Sequence, residues 1–195
     1  MNYYDLVTNT VSSECVKLDE IELSRRLNTH TGYTNQTVQK ISRELADIVN
    51  YKYVYTLVPI DIKDDYVNLG FTSVTSKSLA RNLCGCSCAI ILATTIGIGV
   101  DRCLKKKSLL STSELFFADA LGSAYAESFC DYVNQMLGKE YKLKPRFSPG
   151  YGDLPIELQE PLLKTLCADK TVGITLDNSF LMTPVKSITA IIGVL

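Results

Sequence analysis

The fold is decided by the longest periodic segment of the chain, which reads LFFADALGSAYAESFCDYVNQML from residue 115 to residue 137. Its apolar and small side chains recur at steps of three and four, which is typical of an α-helix with one core-facing side and one thin side for close packing. Thr112, Ser113 and Glu114 supply an N-terminal capping signal, and Gly138 supplies a stop signal. We therefore predict one long central helix at about residues 112–137.

Four other segments are predicted to form strands. Residues 88–95 are an apolar run of the length expected for a central strand that is covered on both faces. Residues 53–60 and 187–194 are rich in β-branched side chains, and residues 66–71 form a further candidate strand. Gly97 and Gly99 then let the backbone turn into the next helix.

Shorter helices are predicted at residues 19–28, 37–51, 78–83 and 158–166. Helices and strands alternate irregularly, so we predict an α+β fold: a mostly antiparallel twisted sheet packed with helices, with a small N-terminal helical lobe. No linker rich in Gly, Ser or Pro divides the chain. We therefore expect a single domain over residues 1–195, with the helical lobe at 1–52 and a sheet-and-helix core at 53–195.

Composition and charge exclude several classes of function. The chain has 195 residues, 20 Lys+Arg against 21 Asp+Glu, and a net charge of -1, whereas nucleic-acid binding needs clustered cations. The apolar run from Cys88 to Val100 is shorter than the roughly 20 residues that span a bilayer. An odd count of seven cysteines, with no signal-peptide pattern at the start, favours a reducing compartment. We expect a cytoplasmic protein with neither nucleic-acid nor membrane partners.

The cysteines do not indicate a metal site. Cys84, Cys86 and Cys88 alternate, whereas zinc and iron–sulfur sites favour at least two residues between paired cysteines. We interpret them as small apolar residues on one face of a strand, and an iron–sulfur electron carrier is the least favoured alternative. His30 is the single histidine and is predicted to lie in a turn, so no metal site and no catalytic residue is assigned.

The cations Lys105, Lys106 and Lys107 stand together near a predicted helix end. Our interpretation is that they complement the negative end of the helix dipole. Docking on an acidic partner surface is the alternative.

The loop at residues 144–155 is the most unusual stretch, because it holds three prolines and two glycines between two helices. Prolines fix φ, and glycines allow positive φ and close approach of the backbone to a ligand. An arginine can bind a carboxylate, and aromatic faces can stack on a purine or accept a cation. These residue types indicate a small ligand with an acid end, a flat ring and a positive centre. A rigid turn with an internal salt bridge is the open alternative.

Three segments, in the same order, resemble the reactivation domain of cobalamin-dependent methionine synthase, which binds S-adenosylmethionine. Residues 146–151, Arg-Phe-Ser-Pro-Gly-Tyr, are similar to the family's Arg-x-x-Pro-Gly-Tyr segment. Residues 173–184 resemble its Gly-x-x-Leu-Thr-Glu-Ser-x-x-Met-x-Pro stretch, and residues 118–127 resemble its alanine-rich helix. The resemblance covers about residues 112–194, and the first hundred residues look like the short, free-standing relatives of that domain.

The resemblance implies an accessory subunit of methionine biosynthesis that is not active alone. It would bind S-adenosylmethionine and position it for reductive remethylation of cob(II)alamin. The implied partners are the cobalamin-binding methionine synthase, or a related corrinoid protein, that carries the cobalamin, and a flavodoxin-like electron donor. By position, Arg146 holds the methionine carboxylate or a neighbouring acid. The full cofactor-binding set is Arg146, Phe147, Ser148, Pro149, Gly150, Tyr151, Glu127 and Asp153.

Departures from the family pattern affect the expected pocket. Ser123 stands where the family has the first of two glutamates, Glu127 matches the second, and the chain has no Trp. It also stops at Leu195, before a C-terminal tyrosine of the family. We expect a pocket that is incomplete, or one rebuilt with Asp119 or Asp153. The alternative function is a non-catalytic adaptor that docks on a corrinoid or methyltransferase protein without using S-adenosylmethionine.

Overall fold

The computed structural model describes residues 2–27 and 36–195. Its strands are β1 (Val7–Val11), β2 (Tyr51–Pro59), β3 (Asp61–Lys63), β4 (Tyr66–Asn68), β5 (Ser73–Thr75), β6 (Cys88–Thr95), β7 (Thr175–Leu176), β8 (Met182–Thr183) and β9 (Ser187–Val194). Its α-helices are α1 (Glu20–Leu27), α2 (Gln36–Ala46), α3 (Lys77–Leu83), α4 (Ile98–Leu110), α5 (Thr112–Leu137), α6 (Gln159–Thr165) and α7 (Ala168–Thr171). The prediction for His30 falls outside the described residues.

The main sheet has the strand order β1-β2-β6-β9, and every neighbouring pair is antiparallel. Strand β6 is interior, and all its side chains after Cys88 are buried, as predicted for a central strand. Strands β3, β4 and β5 form a separate small sheet, and β7 pairs with β8. Helices and antiparallel strands together confirm the predicted α+β class.

Helix α5 is the central helix that the periodicity predicts. It begins after Ser111, whose hydroxyl oxygen accepts a hydrogen bond from the Glu114 N–H at 3.3 Å, and it ends at Gly138. Its buried face packs on the main sheet, where the Phe129 ring lies 4.7 Å from the ring of Tyr51. The capping residues and the apolar period are local signals, which explains why both bounds are predicted correctly.

The main sheet separates two hydrophobic cores. On β2, Tyr53 and Tyr55 face the core that contains α1, α2, α4 and α5, whereas Val54 and Val58 face the core formed with α3, α6 and α7. This alternation follows from the two-residue period of a strand. Because β9 is an edge strand, a segment that lies beside it can contact both cores.

The N-terminal part contains both the expected helices and an unexpected strand. Helices α1 and α2 pack on α5, and the Asp19 carboxylate accepts hydrogen bonds from the N–H groups of Ile21 (2.8 Å) and Glu22 (3.1 Å). The predicted helix at 37–51 is too long at its end, since α2 ends at Ala46 and, after a turn, Tyr51 begins β2. Strand β1 was not predicted, since its polar, exposed residues 8–10 lack a strong strand signal. The single domain with a division near residue 52 stays a prediction.

The cysteine interpretation is wrong for two of the three residues. Cys84 and Cys86 lie in the turn after α3, and only Cys88 belongs to β6, so the three thiols do not line one strand face. The strand itself begins at Cys88, as predicted, so the alternation of the first two cysteines lies outside it. No helix within the two described ranges combines the length and apolar character that crossing a bilayer requires.

Candidate ligand-binding site

The predicted loop, residues 144–155, is attached to the edge of the main sheet; we call it the Arg146 loop. The Lys144 N–H donates to the Gly193 carbonyl at 2.8 Å, and Phe147 and Ile191 exchange two backbone hydrogen bonds of 2.9 and 2.8 Å. The Phe147 side chain packs against the core that contains α3 and α6. These bonds hold the start of the loop in a fixed position beside β9.

A tight turn follows in the middle of the Arg146 loop. Gly150 has φ +87° and Gly152 has φ +58°, both in the region that favours glycine. The Gly150 N–H donates to the Leu154 carbonyl at 2.9 Å, and the Ser148 hydroxyl donates to the Thr189 carbonyl of β9 at 2.7 Å. A Cβ at Gly152 would lie 3.1 Å from the Ser78 hydroxyl oxygen, so the glycine also permits close approach to α3.

Asp153 fastens the end of the Arg146 loop to the start of α3. Its carboxylate accepts hydrogen bonds from the Ser76 hydroxyl (2.7 Å) and from the N–H groups of Lys77 (2.8 Å) and Ser78 (3.2 Å). These hydrogen bonds stabilise the charged form and lower the pKa of Asp153 to about 2, and the bond from Ser76 has the largest effect. The carboxylate is therefore engaged with the start of α3.

Arg146 is directed toward α5. Its Nη2 lies 2.6 Å from Asp131 Oδ1 and 3.6 Å from Glu127 Oε2, and its side chain is 23% exposed. Glu127, Asp131 and Asn134 are spaced by four and three residues, which places them on one face of the helix. Only Glu127 of the three is in the predicted ligand set, although this spacing in the sequence could have identified the other two.

A cavity of about 470 Å³ lies between α5 and the Arg146 loop; we call it the Arg146 cavity. It is lined by Glu127, Asn134, Pro145, Arg146, Phe147, Ser148, Tyr151 and Ile188. Five of the eight predicted ligand residues line it. The other three are Asp153, engaged with α3, and Pro149 and Gly150, which belong to the turn.

The Arg146 cavity combines charged, amide and aromatic groups. The Tyr151 side chain is 72% exposed at its rim, whereas the Asn134 Oδ1 atom is buried with no hydrogen-bond partner among the described residues. Its volume is within the roughly 300–1,000 Å³ of small-molecule pockets. One cation, nearby carboxylates and two aromatic rings suit a ligand that carries both charges and a flat ring.

The two residues expected to rebuild the pocket are engaged elsewhere. Lys186 Nζ lies 2.7 Å from Asp119 Oδ1 and 2.8 Å from the Ser123 hydroxyl oxygen. Asp119 and Ser123 are absent from the lining of the Arg146 cavity, as is Asp153. Negative charge near this cavity therefore comes from Glu127 and Asp131.

The fold is similar to that of a domain solved with a ligand. The chain aligns with the crystal structure of the MetH reactivation domain bound to AdoHcy, with a TM-score of 0.69 and 15% sequence identity, over 97% of this chain and 78% of that chain. The predicted resemblance is confirmed at the level of the fold. No protein-family model and no curated protein matches the sequence.

Proposed function

We propose that the Arg146 cavity binds S-adenosylmethionine and positions it for reductive remethylation of cob(II)alamin on a partner protein. The observation that carries the proposal is that five side chains of the predicted ligand set line one cavity, on the fold of a reactivation domain that was solved with AdoHcy. These five are Glu127, Arg146, Phe147, Ser148 and Tyr151.

The residues of the cavity suit the parts of this ligand. The rings of Phe147 and Tyr151 offer faces on which adenine can stack. The Glu127 carboxylate complements the positive sulfonium and ammonium groups. Asp131 occupies one nitrogen of Arg146, and the guanidinium has further N–H donors for the ligand carboxylate.

The bound ligand supplies the sulfonium methyl group, and the residues of this chain bind and orient it. Methyl transfer to cobalt requires near in-line placement, so proximity and orientation contribute more than proton transfer. The cavity residues are accordingly assigned no general acid or base role. The exposed rim at Tyr151 leaves room for a partner to approach the ligand.

Titration calorimetry with S-adenosylmethionine tests the binding part. Because Tyr151 is exposed, Tyr151→Ala leaves the core intact, and we expect affinity to fall by about tenfold with the loss of adenine stacking. Tyr66→Ala, at an exposed tyrosine of β4, is the matched control and should bind like the wild type. A wild-type protein that gives no heat and no thermal shift at millimolar ligand contradicts the proposal.

Restoration of activity tests the reactivation part. The proposed partner is a cobalamin-binding methionine synthase or a related corrinoid protein, with a flavodoxin-like electron donor. Adding the protein, S-adenosylmethionine and a reductant to a synthase trapped in the cob(II) state should restore turnover. If the protein binds the ligand but turnover never returns, the reactivation role is wrong even though the binding role stands.

One observation supports a second function, that of an adaptor that docks on a corrinoid or methyltransferase protein without using the ligand. Arg146 already forms an internal ion pair with Asp131, as a purely structural arginine would. The variant Arg146→Ala separates the two functions. If the variant loses both ligand binding and reactivation, the first function is supported. If the variant still binds the partner, and S-adenosylmethionine has no effect on the wild type, the second function is supported. Arg43→Ala, at an exposed arginine of α2, is the control.

A further inference from the structure

A second cavity, of about 740 Å³, lies where α2, α4 and the start of α5 meet; we call it the α2–α4 cavity. It shares no lining residue with the Arg146 cavity. It is lined by Lys40, Glu44, Ile48, Gly99, Arg102, Cys103, Lys106, Lys107, Leu110, Ser111 and Glu114. Four of these side chains are cations and two are carboxylates, so the wall is positive although the whole chain carries -1.

Both carboxylates of the wall are already bound by one lysine. Lys107 Nζ lies 2.8 Å from Glu44 Oε2 and 2.9 Å from Glu114 Oε2, and its side chain is only 7% exposed. Burial alone would lower the pKa of Lys107, but its hydrogen bonds to the two glutamates outweigh burial and raise it. Lys107 thus joins α2, α4 and α5, and it shields the negative charge of the wall.

The other cations of the wall are available to a ligand. Arg102 and Lys106 lie on α4 one turn apart, both are exposed, and neither has a carboxylate within 4.0 Å in the part of the chain that the structure describes. Lys40 lies 4.0 Å from Glu44, the limit of an ion pair. Two unpaired cations one turn apart can bind one anionic group together.

An apolar surface lies beside these cations. Leu110 is 72% exposed and lines the cavity together with Ile48 and Cys103. A Cβ at Gly99 would lie 2.7 Å from the Ile48 carbonyl oxygen, so the glycine lets α4 approach the residue that forms this wall. An exposed leucine inside a concave, cationic surface is the pattern of a site for a molecule with an apolar body and an anionic end.

The geometry points to a second ligand site in the α2–α4 cavity, for a small amphipathic anion. Its carboxylate or sulfonate group binds Arg102 and Lys106, and its apolar body covers Ile48 and Leu110. The concave shape and the small number of cations favour a small molecule over an extended polyanion, which would need a longer positive surface. This site is independent of the proposed function of the Arg146 cavity.

The fluorescent anion 1-anilinonaphthalene-8-sulfonate is the probe for this site. We expect the folded protein to enhance the fluorescence of the probe in a saturable way. Decanoate should displace the probe, whereas decyltrimethylammonium, which has an alkyl chain of nearly the same length and the opposite charge, should not. The double variant Arg102→Gln/Lys106→Gln should weaken probe binding by about tenfold or more. The control Lys105→Gln/Lys139→Gln removes two exposed lysines outside the cavity and should bind like the wild type.

A pair of neighbouring leucines tests the apolar part of the site. Leu110→Ser should weaken the probe severalfold, whereas Leu109→Ser, at an 81% exposed leucine outside the cavity, should not. Both leucines are exposed, so neither substitution threatens the fold. Equal binding by all variants, displacement by both decyl compounds, or displacement by S-adenosylmethionine would overturn the assignment, since the last result places the probe in the Arg146 cavity.

Discussion

The two cavities place their arginines in opposite surroundings. Arg146 is mostly buried, lies 2.6 Å from Asp131, and is held by a loop that is bonded to β9 and to the start of α3. Arg102 is exposed on α4 and has no carboxylate partner among the residues described by the structure. The charged group of the first cavity, the guanidinium of Arg146, is therefore held in place by an internal ion pair. That of the second, the guanidinium of Arg102, has no such ion pair among the described residues.

This difference determines what a ligand must do at each place. An ordered arginine loses little conformational entropy when a ligand binds, but it shares its charge with internal carboxylates. A free arginine gives its full charge, but its long side chain must become ordered. Substitutions of the residues that hold the Arg146 cavity in place should therefore change both the stability of the protein and ligand binding. Substitutions of the exposed residues in the α2–α4 cavity should change ligand binding alone.

The largest expected effect comes from comparing two phenylalanines of α5, one fully buried and one exposed. Phe129→Ala empties a fully buried position against Tyr51, in the half of the helix that carries Glu127 and Asp131. We expect the free energy of unfolding to fall by about 3–5 kcal/mol. Phe116→Ala, at an exposed phenylalanine near the helix start, should change it by less than about 0.5 kcal/mol. Urea denaturation measures both, and similar losses would contradict this account of the core.

Asp153 should give the next effect, as a dependence of stability on pH. Its pKa is lowered to about 2, so its contribution to stability is fully present above the unfolded pKa of about 3.9 and is lost as the pH falls through about 2. Asp153→Asn should therefore lower the melting temperature by a few degrees at pH 7, less than Phe129→Ala does. The gap between variant and wild type should close between pH 4 and pH 2.

The matched control for this pH scan is Asp169→Asn, at an exposed aspartate for which no hydrogen bond or ion pair is found in the described part of the chain. Its melting temperature should follow that of the wild type at every pH. A gap for Asp153→Asn that persists unchanged down to pH 2 would show that the carboxylate does not hold the Arg146 loop to α3.

The features that the sequence predicts well are those that depend on neighbours in the chain. The bounds of α5 and the stiff turn at Gly150 follow from local periodicity, capping and glycine positions. The sequence does not identify Asp131 as the partner of Arg146, because the two residues meet only through the packing of the loop beside β9 and α5. The bonds that Asp153 makes could not be predicted for the same reason, since its partners Ser76 and Lys77 are far away in sequence. Its part in ligand binding stays a prediction.

The α2–α4 cavity could not be predicted from the sequence either. Its walls come from helices that are separated by strands β2 to β6, and only their packing on α5 brings Lys40 close to Arg102. In the sequence the three lysines at 105–107 cannot be told apart. In the structure its members differ, because Lys107 is buried between two glutamates while Lys106 faces the cavity.

A smaller effect is expected from Glu127, and it tests the charge of the Arg146 cavity. S-adenosylmethionine carries a sulfonium charge that AdoHcy lacks. Glu127→Gln should therefore weaken the binding of S-adenosylmethionine by about three- to tenfold and the binding of AdoHcy by less. Calorimetry with both ligands measures the difference, and Glu157→Gln, outside the cavity, is the control. Equal weakening of the binding of both ligands would mean that Glu127 does not act on the sulfonium.

The smallest expected effect is that of salt, and it separates the ordered charge from the free one. Exposed charges are screened strongly once the Debye length falls from about 10 Å at 0.1 M salt to about 3 Å at 1 M, and partly buried pairs are screened less. Raising the NaCl concentration over this range should lower the affinity of the α2–α4 cavity for 1-anilinonaphthalene-8-sulfonate by a few-fold. The affinity of the Arg146 cavity for S-adenosylmethionine should change less. The Arg102→Gln/Lys106→Gln variant should lose most of its salt dependence. Equal salt dependence at both sites would mean that salt screens the charge of Arg146 as strongly as that of Arg102, despite the ion pair with Asp131.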